Sequence, residues 1–426
     1  MCPQHQHPTV RLADLTHDFT ADPHSALTAL RSRGPVHHVR FPTGDESWAV
    51  VGHEEVRAAF VDPRLRNDVR HSAEFEDDGL YAVGRNMLQV DPPDHTRLRT
   101  LVAREFTARR VQALRPRVQE AAGALLDAVA ADGRADLVAA YAHPLPLTII
   151  CELLGVPEAD RPVFRAWSVK VVALDEPEES ARASREMAAY LMGLAEEKRR
   201  QREAPESDLL HALVRSHDGD RADGHDGTDG KAGKDGGNGN AGDRADRLSS
   251  EELLGMAFLL LVAGHETTVN LISGAVHLLL GHPEQLAALR ADPGLLEGAV
   301  EETLRFEPPV PAGAYRYAAE PVTLGGVRIP AGARVVLSIA AANRDPARFP
   351  APERFDIRRD PAETRAHLAF GHGLHHCLGA PLARLEATAA LRLLLERFPR
   401  LAFDGDGTPR WRTSLMRGLW ELPVRW

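Results

Sequence analysis

Cysteine is scarce in this chain: Cys2, Cys151 and Cys377 are the only three among 426 residues. An odd, widely spaced set excludes a disulfide framework and a CxxC zinc or redox pair, and it fits a reducing cytoplasm. No apolar run reaches membrane-spanning length, because residues 253–264 make only 12 between Glu252 and His265, against the roughly 20 that a bilayer needs. The opening MCPQHQHPTV lacks both the cationic start and the apolar core of a secretory signal. Positive charge is in deficit too, with 51 Lys and Arg against 61 Asp and Glu and a net charge of −10. That sign opposes non-specific attraction to nucleic acid or to an anionic membrane, so neither is expected as a partner.

What is present is ordinary globular material, 43% hydrophobic and 26% charged. Leu, Ala and Val recur at three- and four-residue spacing over 116–130, 182–203, 251–280 and 382–398, which predicts helices there. Strand-like stretches at 35–41, 47–51, 322–329 and 333–339 are short and broken by Pro and Gly. The fold class is therefore mainly α with small β-sheets. Ser249 with Glu252 forms a capping box ahead of the longest apolar run, so a buried helix should start there. Residues 217–247 hold 9 Gly and 8 Asp and no Val, Ile, Leu, Met or Phe, which reads as a disordered insertion in a single domain spanning 1–426.

Chemistry concentrates in FGHGLHHCLG at 370–379, where His372, His375 and His376 lie within five residues of Cys377. Zinc would need ligands spaced to converge on one ion, which the adjacent His376 and Cys377 do poorly. A single thiolate ligand needs only a supporting backbone. Gly371 and Gly373 allow a tight turn with positive φ, Gly379 allows close approach to the sulfur, and Pro381 suits a first helical turn. Cys377 then stands at a helix N-terminus, where amides and dipole lower a thiol's pKa. Such a thiolate suits haem iron.

Phe370, Gly373, Cys377 and Gly379 match FxxGxxxCxG, and on these residues the chain resembles the cytochrome P450 family, most of all its soluble bacterial members. Glu302 and Arg305 are similar to the family's ExxR pair, with Arg354 of PERF (352–355) as the third member of that triad. The resemblance covers nearly the whole chain and departs from the family at 217–247, a longer connection than usual. It implies the P450 fold, a helical body with haem b between the central helix and the Cys-ligand helix. His95, Arg99, Arg316 and His375 are implied as propionate partners. In AGHETT (263–268) it implies an acid–alcohol pair, Thr267 hydrogen-bonding the reduced dioxygen and Glu266 relaying protons.

The implied activity is haem-thiolate monooxygenation, with hydroxylation or epoxidation of a large, mostly apolar natural product, a macrolide-type polyketide being first choice. A peroxygenase or oxidative coupling enzyme and a haem-binding sensor are the alternatives, and Glu266-Thr267 argues against the sensor. By resemblance the pocket is drawn from 66–90, 164–192, 310–314 and 415–419, with Ala263, Val310, Ala314, Leu415 and Met416 as lining residues. Acidic stretches at 74–78 (EFEDD) and 175–179 (DEPEE) suit a cationic substrate group or are solvated loop charge. No flavin or nicotinamide fingerprint is present, so electrons are expected from a ferredoxin and ferredoxin reductase, with O2 as co-substrate. Seven arginines between Arg97 and Arg117 against the one acid Glu105, with Arg358, Arg359 and Arg365, offer a basic docking area in what should be a monomer.

Overall fold

The helix Ser250–Gly281 begins where its capping box predicts: Ser249 Oγ accepts from the Glu252 amide at 3.1 Å, and the Glu252 carboxylate accepts from the Ser249 amide at 2.9 Å. The computed structural model describes residues 8–75, 85–173, 176–201, 208–218, 248–412 and 414–426. Residues 219–247, nearly all of the expected insertion, and 76–78 of the first acidic stretch lie outside the described residues.

This 32-residue central helix is shared between two cores. Residues from Leu253 to Val262 pack with Phe164, Met187 and Leu210, whereas those from Val269 to Leu279 pack with Tyr141, Phe355 and Leu391. Each fully buried Leu, Ile or Phe contributes about 1.5–3 kcal/mol. Residues 263–268 belong to neither cluster, so the polar motif occupies the seam. Among the described residues this is the one helix long and apolar enough to cross a membrane, and 72% of its apolar window is buried inside the fold. It is longer than the apolar run read from sequence because His265 and Glu266 continue it while fully buried.

The other predicted helices appear as Arg115–Val129, Pro177–Arg200 and Ala380–Arg397. Six short strands form one sheet in the order Val10–Arg11, Val36–Arg40, Glu46–Val50, Arg334–Leu337, Arg316–Ala318, Leu65–Arg66. Glu46–Val50 runs parallel to Arg334–Leu337 with Trp48 opposite Val335, and Arg316 faces the same Val335 from the other side. That pairing fixes the buried Arg316 on the strand next to one edge of the sheet. The single strand expected over 322–329 is instead a hairpin, Val322–Leu324 with Val327–Ile329. Gly325 and Gly326, at φ 52° and 80°, turn the chain there.

Candidate active site

The ligand loop is built on two left-handed glycines, Gly371 at φ 70° and Gly373 at φ 75°. A Cβ on Gly373 would also stand 2.6 Å from Val61 Cγ1. The loop closes where the Cys377 amide donates to the Phe370 carbonyl at 2.8 Å, and the helix Ala380–Arg397 follows directly. Gly379 has an ordinary φ of −79°, and a Cβ there would make ordinary 3.9 Å contact with Cys377 Sγ. Crowding by the sulfur therefore does not explain that glycine.

Cys377 is exposed, yet burial raises its thiol pKa, outweighing the Gly379 and Ala380 amides and the charges of Arg99 and Arg384. Both observations hold when the sulfur opens onto an internal cleft. The expected lowering at the helix N-terminus is thus overturned in the protein alone, because desolvation exceeds what two amides return. A metal cation on the sulfur reverses that balance and holds the thiolate outright.

Beside the loop the structure gathers two arginines and two histidines with little anionic compensation. The His95 and His375 ring centroids are 4.1 Å apart. Arg99 Nη2 donates to the His376 carbonyl at 2.7 Å, and buried Arg316 donates to the Ala314 carbonyl at 3.0 Å. Burial, together with the charges of His95, Arg316 and Arg99, pushes His375 down to about 3. Burial likewise lowers Arg316 to about 10, with Asp91 opposing. Both ring nitrogens of His95 are buried without a partner. Such a cluster fits a doubly anionic group, as haem propionates provide.

Glu302 and Arg305 are fully buried and joined twice, Nε to Oε2 at 2.7 Å and Nη2 to Oε1 at 2.8 Å. Arg305 also donates to the carbonyls of Asn343, Pro352 and Arg354 at 3.0, 2.9 and 3.1 Å. Arg354 is not the third guanidinium. Its side chain is 68% exposed and lies 3.5 Å from Asp356, because its carbonyl is the part turned inward. The position belongs to Arg359, with a side chain 7% exposed and Nε 3.3 Å from Glu302 Oε2. Arg359 donates to Pro350, Ala351 and Arg354 carbonyls at 2.7, 3.3 and 3.2 Å. It thereby holds the turn in which Ala351 adopts φ 45°, a conformation costing about 1–2 kcal/mol for a residue with Cβ.

In the central helix Thr267 Oγ1 donates back to the Ala263 carbonyl at 3.0 Å without interrupting the helix. Ala263 is exposed and Thr267 half-buried in the middle of an otherwise buried helix, so this face looks onto open space. Gly264 does not loosen it: a Cβ there would stand 2.9 Å from Ile150 Cδ1, so the glycine serves close helix packing. Glu266 points elsewhere. It is fully buried, with Arg412 Nη2 at 3.3 Å, His143 Nε2 at 3.5 Å and His265 Nε2 at 3.6 Å. Burial alone would raise its carboxyl, but those three neighbours hold it down to about 2. Arg412 donates also to Asn270 Oδ1 at 2.8 Å. A Cβ on Gly418 would fall 2.1 Å from that oxygen, so the glycine makes room for the network. Sequence reading found Glu266 and missed Arg412 and His143, which no local pattern marks.

Of the pocket residues, Val310, Ala314 and Met416 are half-buried and Leu415 is 54% exposed. The Arg417 amide donates to the Pro309 carbonyl at 2.8 Å and the Leu415 amide to Val172 at 3.2 Å. One turn thus ties the 310–314 segment to the end of the helix Arg161–Val171. In the second acidic stretch Glu179 is paired with Lys170 at 2.6 Å and with Arg182 at 2.5 Å, which removes it as a free cation receptor. The basic area is also thinner than its arginine count. Arg97 pairs with Glu252, Arg110 with Glu105, Arg117 with Glu152, and Arg359 belongs to the triad. A groove of about 420 Å³ beside the loop is nevertheless lined by Arg57, Arg348, Arg365, His372 and His376, with Glu54 its acid.

A family model described as cytochrome P450 matches residues 3–411. The chain is 52% identical over 423 residues to the cytochrome P450 monooxygenase PikC of Streptomyces venezuelae, covering 98% of this chain and 94% of that one. It is 43% identical over 428 residues to the 6-deoxyerythronolide B hydroxylase of Saccharopolyspora erythraea, covering 97% and 98%. The solved structure of the P450 monooxygenase TamI with tirandamycin C bound matches with a TM-score of 0.85 at 42% identity, over 98% of this chain and 99% of that one.

Proposed function

The chain belongs to the cytochrome P450 family and is a haem-thiolate monooxygenase, and on that premise we propose that it oxygenates a macrolide-type polyketide. The observation that carries the reading is the loop that leaves Cys377 accessible at the start of a helix, beside Arg99, Arg316, His95 and His375 with little anionic compensation. Relatives named for hydroxylating 6-deoxyerythronolide B and for binding tirandamycin C support a large, mostly apolar substrate.

Haem, when bound, supplies dioxygen activation and the insertion of one oxygen atom. The protein supplies the rest. Cys377 Sγ would hold the iron as a thiolate, and His95, Arg99, Arg316 and His375 would receive the propionates. Phe370, Gly373 and Gly379 shape the loop. Thr267 offers its hydroxyl on the open face of the central helix, and Glu266 feeds protons toward it from its buried network. Ala263, Val310, Ala314, Leu415 and Met416 exclude water and orient the substrate. Electrons come from a redox partner, for which we assign a ferredoxin with its reductase, docking on the basic groove beside the loop. The working unit is one monomeric domain in the cytoplasm.

The test is reconstitution with a ferredoxin, its reductase, NADPH and 18O2, using an amino-sugar macrolide and its neutral aglycone. One labelled oxygen in the product supports the proposal. Absence of both a substrate-induced spin shift and labelled product from either compound overturns the substrate assignment. Equal affinities for the two at low and high salt reject recognition of the cationic sugar.

A further inference from the structure

Two adjacent acids on one helix, Leu296–Phe306, serve different segments. Glu302 faces the triad, while Glu301 reaches the ligand loop from the other side. Glu301 Oε1 accepts from Arg384 Nε at 2.6 Å and Oε2 accepts from Arg384 Nη2 at 3.0 Å. The same Oε2 lies 3.1 Å from His367 Nε2. His367 Nδ1 accepts from the Ala369 amide at 3.2 Å, which makes Nε2 the protonated nitrogen that donates to Glu301.

These contacts bracket the loop. His367 precedes Phe370 by three residues, and Arg384 stands on the helix that follows Cys377. The Arg384 guanidinium lies 4.5 Å over the Phe370 ring, whose residue's carbonyl holds the Cys377 amide. Arg384 also acts on the sulfur by charge, favouring the thiolate. Glu301 and His367 are buried, and Arg384 is 36% exposed on its side chain. The Glu301 carboxylate therefore sits in low dielectric against a guanidinium that faces the thiolate's surroundings.

We propose that Glu301 is a positioning residue for the haem ligand: it fixes both ends of the Cys377 loop and cancels the Arg384 charge, setting the reduction potential of the thiolate-bound iron. The inference rests on the haem-thiolate reading above. Reduction adds negative charge at the iron, so an uncompensated cation nearby favours the reduced form and an uncompensated anion opposes it.

The experiment measures the reduction potential of holoenzyme variants, after a ferrous–CO spectrum has established the thiolate in the parent protein. Glu301→Gln leaves Arg384 uncancelled and is expected to raise the potential by about tenfold in the reduction equilibrium, about 59 mV for one electron. Arg384→Gln leaves the carboxylate uncancelled and is expected to lower it. The double variant Glu301→Gln/Arg384→Gln restores local neutrality and returns the potential toward the parent value, although it removes more contacts. Arg384→Lys keeps the charge and the parent potential. If the two single variants shift the potential in the same direction, or the double variant departs furthest, the clamp is merely structural and the proposal fails. If Glu301→Gln does not retain haem, Arg384→Gln still decides: an unchanged or raised potential overturns the charge assignment. A parent protein without a thiolate spectrum is a different failure, that of the functional reading itself.

Discussion

Replacing Arg359 with Ala should destabilise the protein far more than replacing Arg354, although the sequence pattern points to Arg354. The Arg359 side chain is 7% exposed, donates to three carbonyls and stands 3.3 Å from the fully buried Glu302. Arg305 remains bonded to both oxygens of Glu302 in the variant, so the carboxylate is not stranded and the loss falls short of a wholly broken buried pair. Three hydrogen bonds from a charged donor and a partial ion pair, discounted for overlap on the Arg354 carbonyl, put the cost at about 3–5 kcal/mol. The side chain of Arg354 is 68% exposed and 3.5 Å from Asp356, so Arg354→Ala should cost at most about 1 kcal/mol. Urea unfolding of both variants followed by tryptophan fluorescence and haem absorbance checks this. With an m-value above about 3 kcal/mol per M for a chain this long, the Arg359→Ala midpoint falls on the order of 1 M while that of Arg354→Ala barely moves. Equal midpoints, or a larger fall for Arg354→Ala, would refute the reassignment of the triad.

Cys377→Ser should abolish the red-shifted Soret band of the ferrous–CO complex, because a neutral hydroxyl gives iron no comparable charge; an unchanged spectrum would place the ligand elsewhere. Thr267→Ala should retain haem and substrate binding but divert electrons to peroxide, read as product formed per NADPH consumed; parent-level coupling contradicts the proposed role. Burial alone would raise Glu307, but His24 and Arg417 hold it down to about 2 in the folded chain, below the ordinary 4.5. Its contribution, about 3 kcal/mol, is therefore complete above pH 4.5 and is lost as pH falls from there toward 2. Glu307→Gln should be less stable at neutral pH and flatter across that acid window in pH-dependent urea unfolding; a parallel curve sinks the assignment.

The parts of the molecule that were legible in the sequence are those written within a few residues. The capping box at Ser249 and Glu252, the left-handed Gly371 and Gly373, and the Glu302–Arg305 pair each follow from local spacing, and each is found with the expected partner. The strand-like stretch 322–329 is a hairpin, because Gly325 and Gly326 take positive φ and turn the chain between Leu324 and Val327. PERF at 352–355 points to Arg354 because it resembles the family's pattern, and no local pattern marks Arg359 five residues on. Which of them faces inward depends on the left-handed Ala351, a conformation no residue type announces.

The acid–alcohol pair shows why chemistry can be read in order along the chain and yet remain unresolved in space. Consecutive residues on an α-helix are about 100° apart, so Glu266 and Thr267 cannot look onto one space from the same face. Thr267 sits on the face left open beside Ala263, while Glu266 is buried among Arg412, His143 and His265. Besides the adjacent His265, the groups that set its charge come from positions 143 and 412, more than 120 residues away on either side. Residue identity at 266 therefore implies a proton-carrying group, but its ionisation at neutral pH follows from Arg412 and His143. A substitution at either distant position alters the acid without touching the motif. For that reason variants of Arg412 or His143 should be judged on the pH dependence of coupling in the same assay as Thr267→Ala, where a change in proton supply separates from loss of substrate binding.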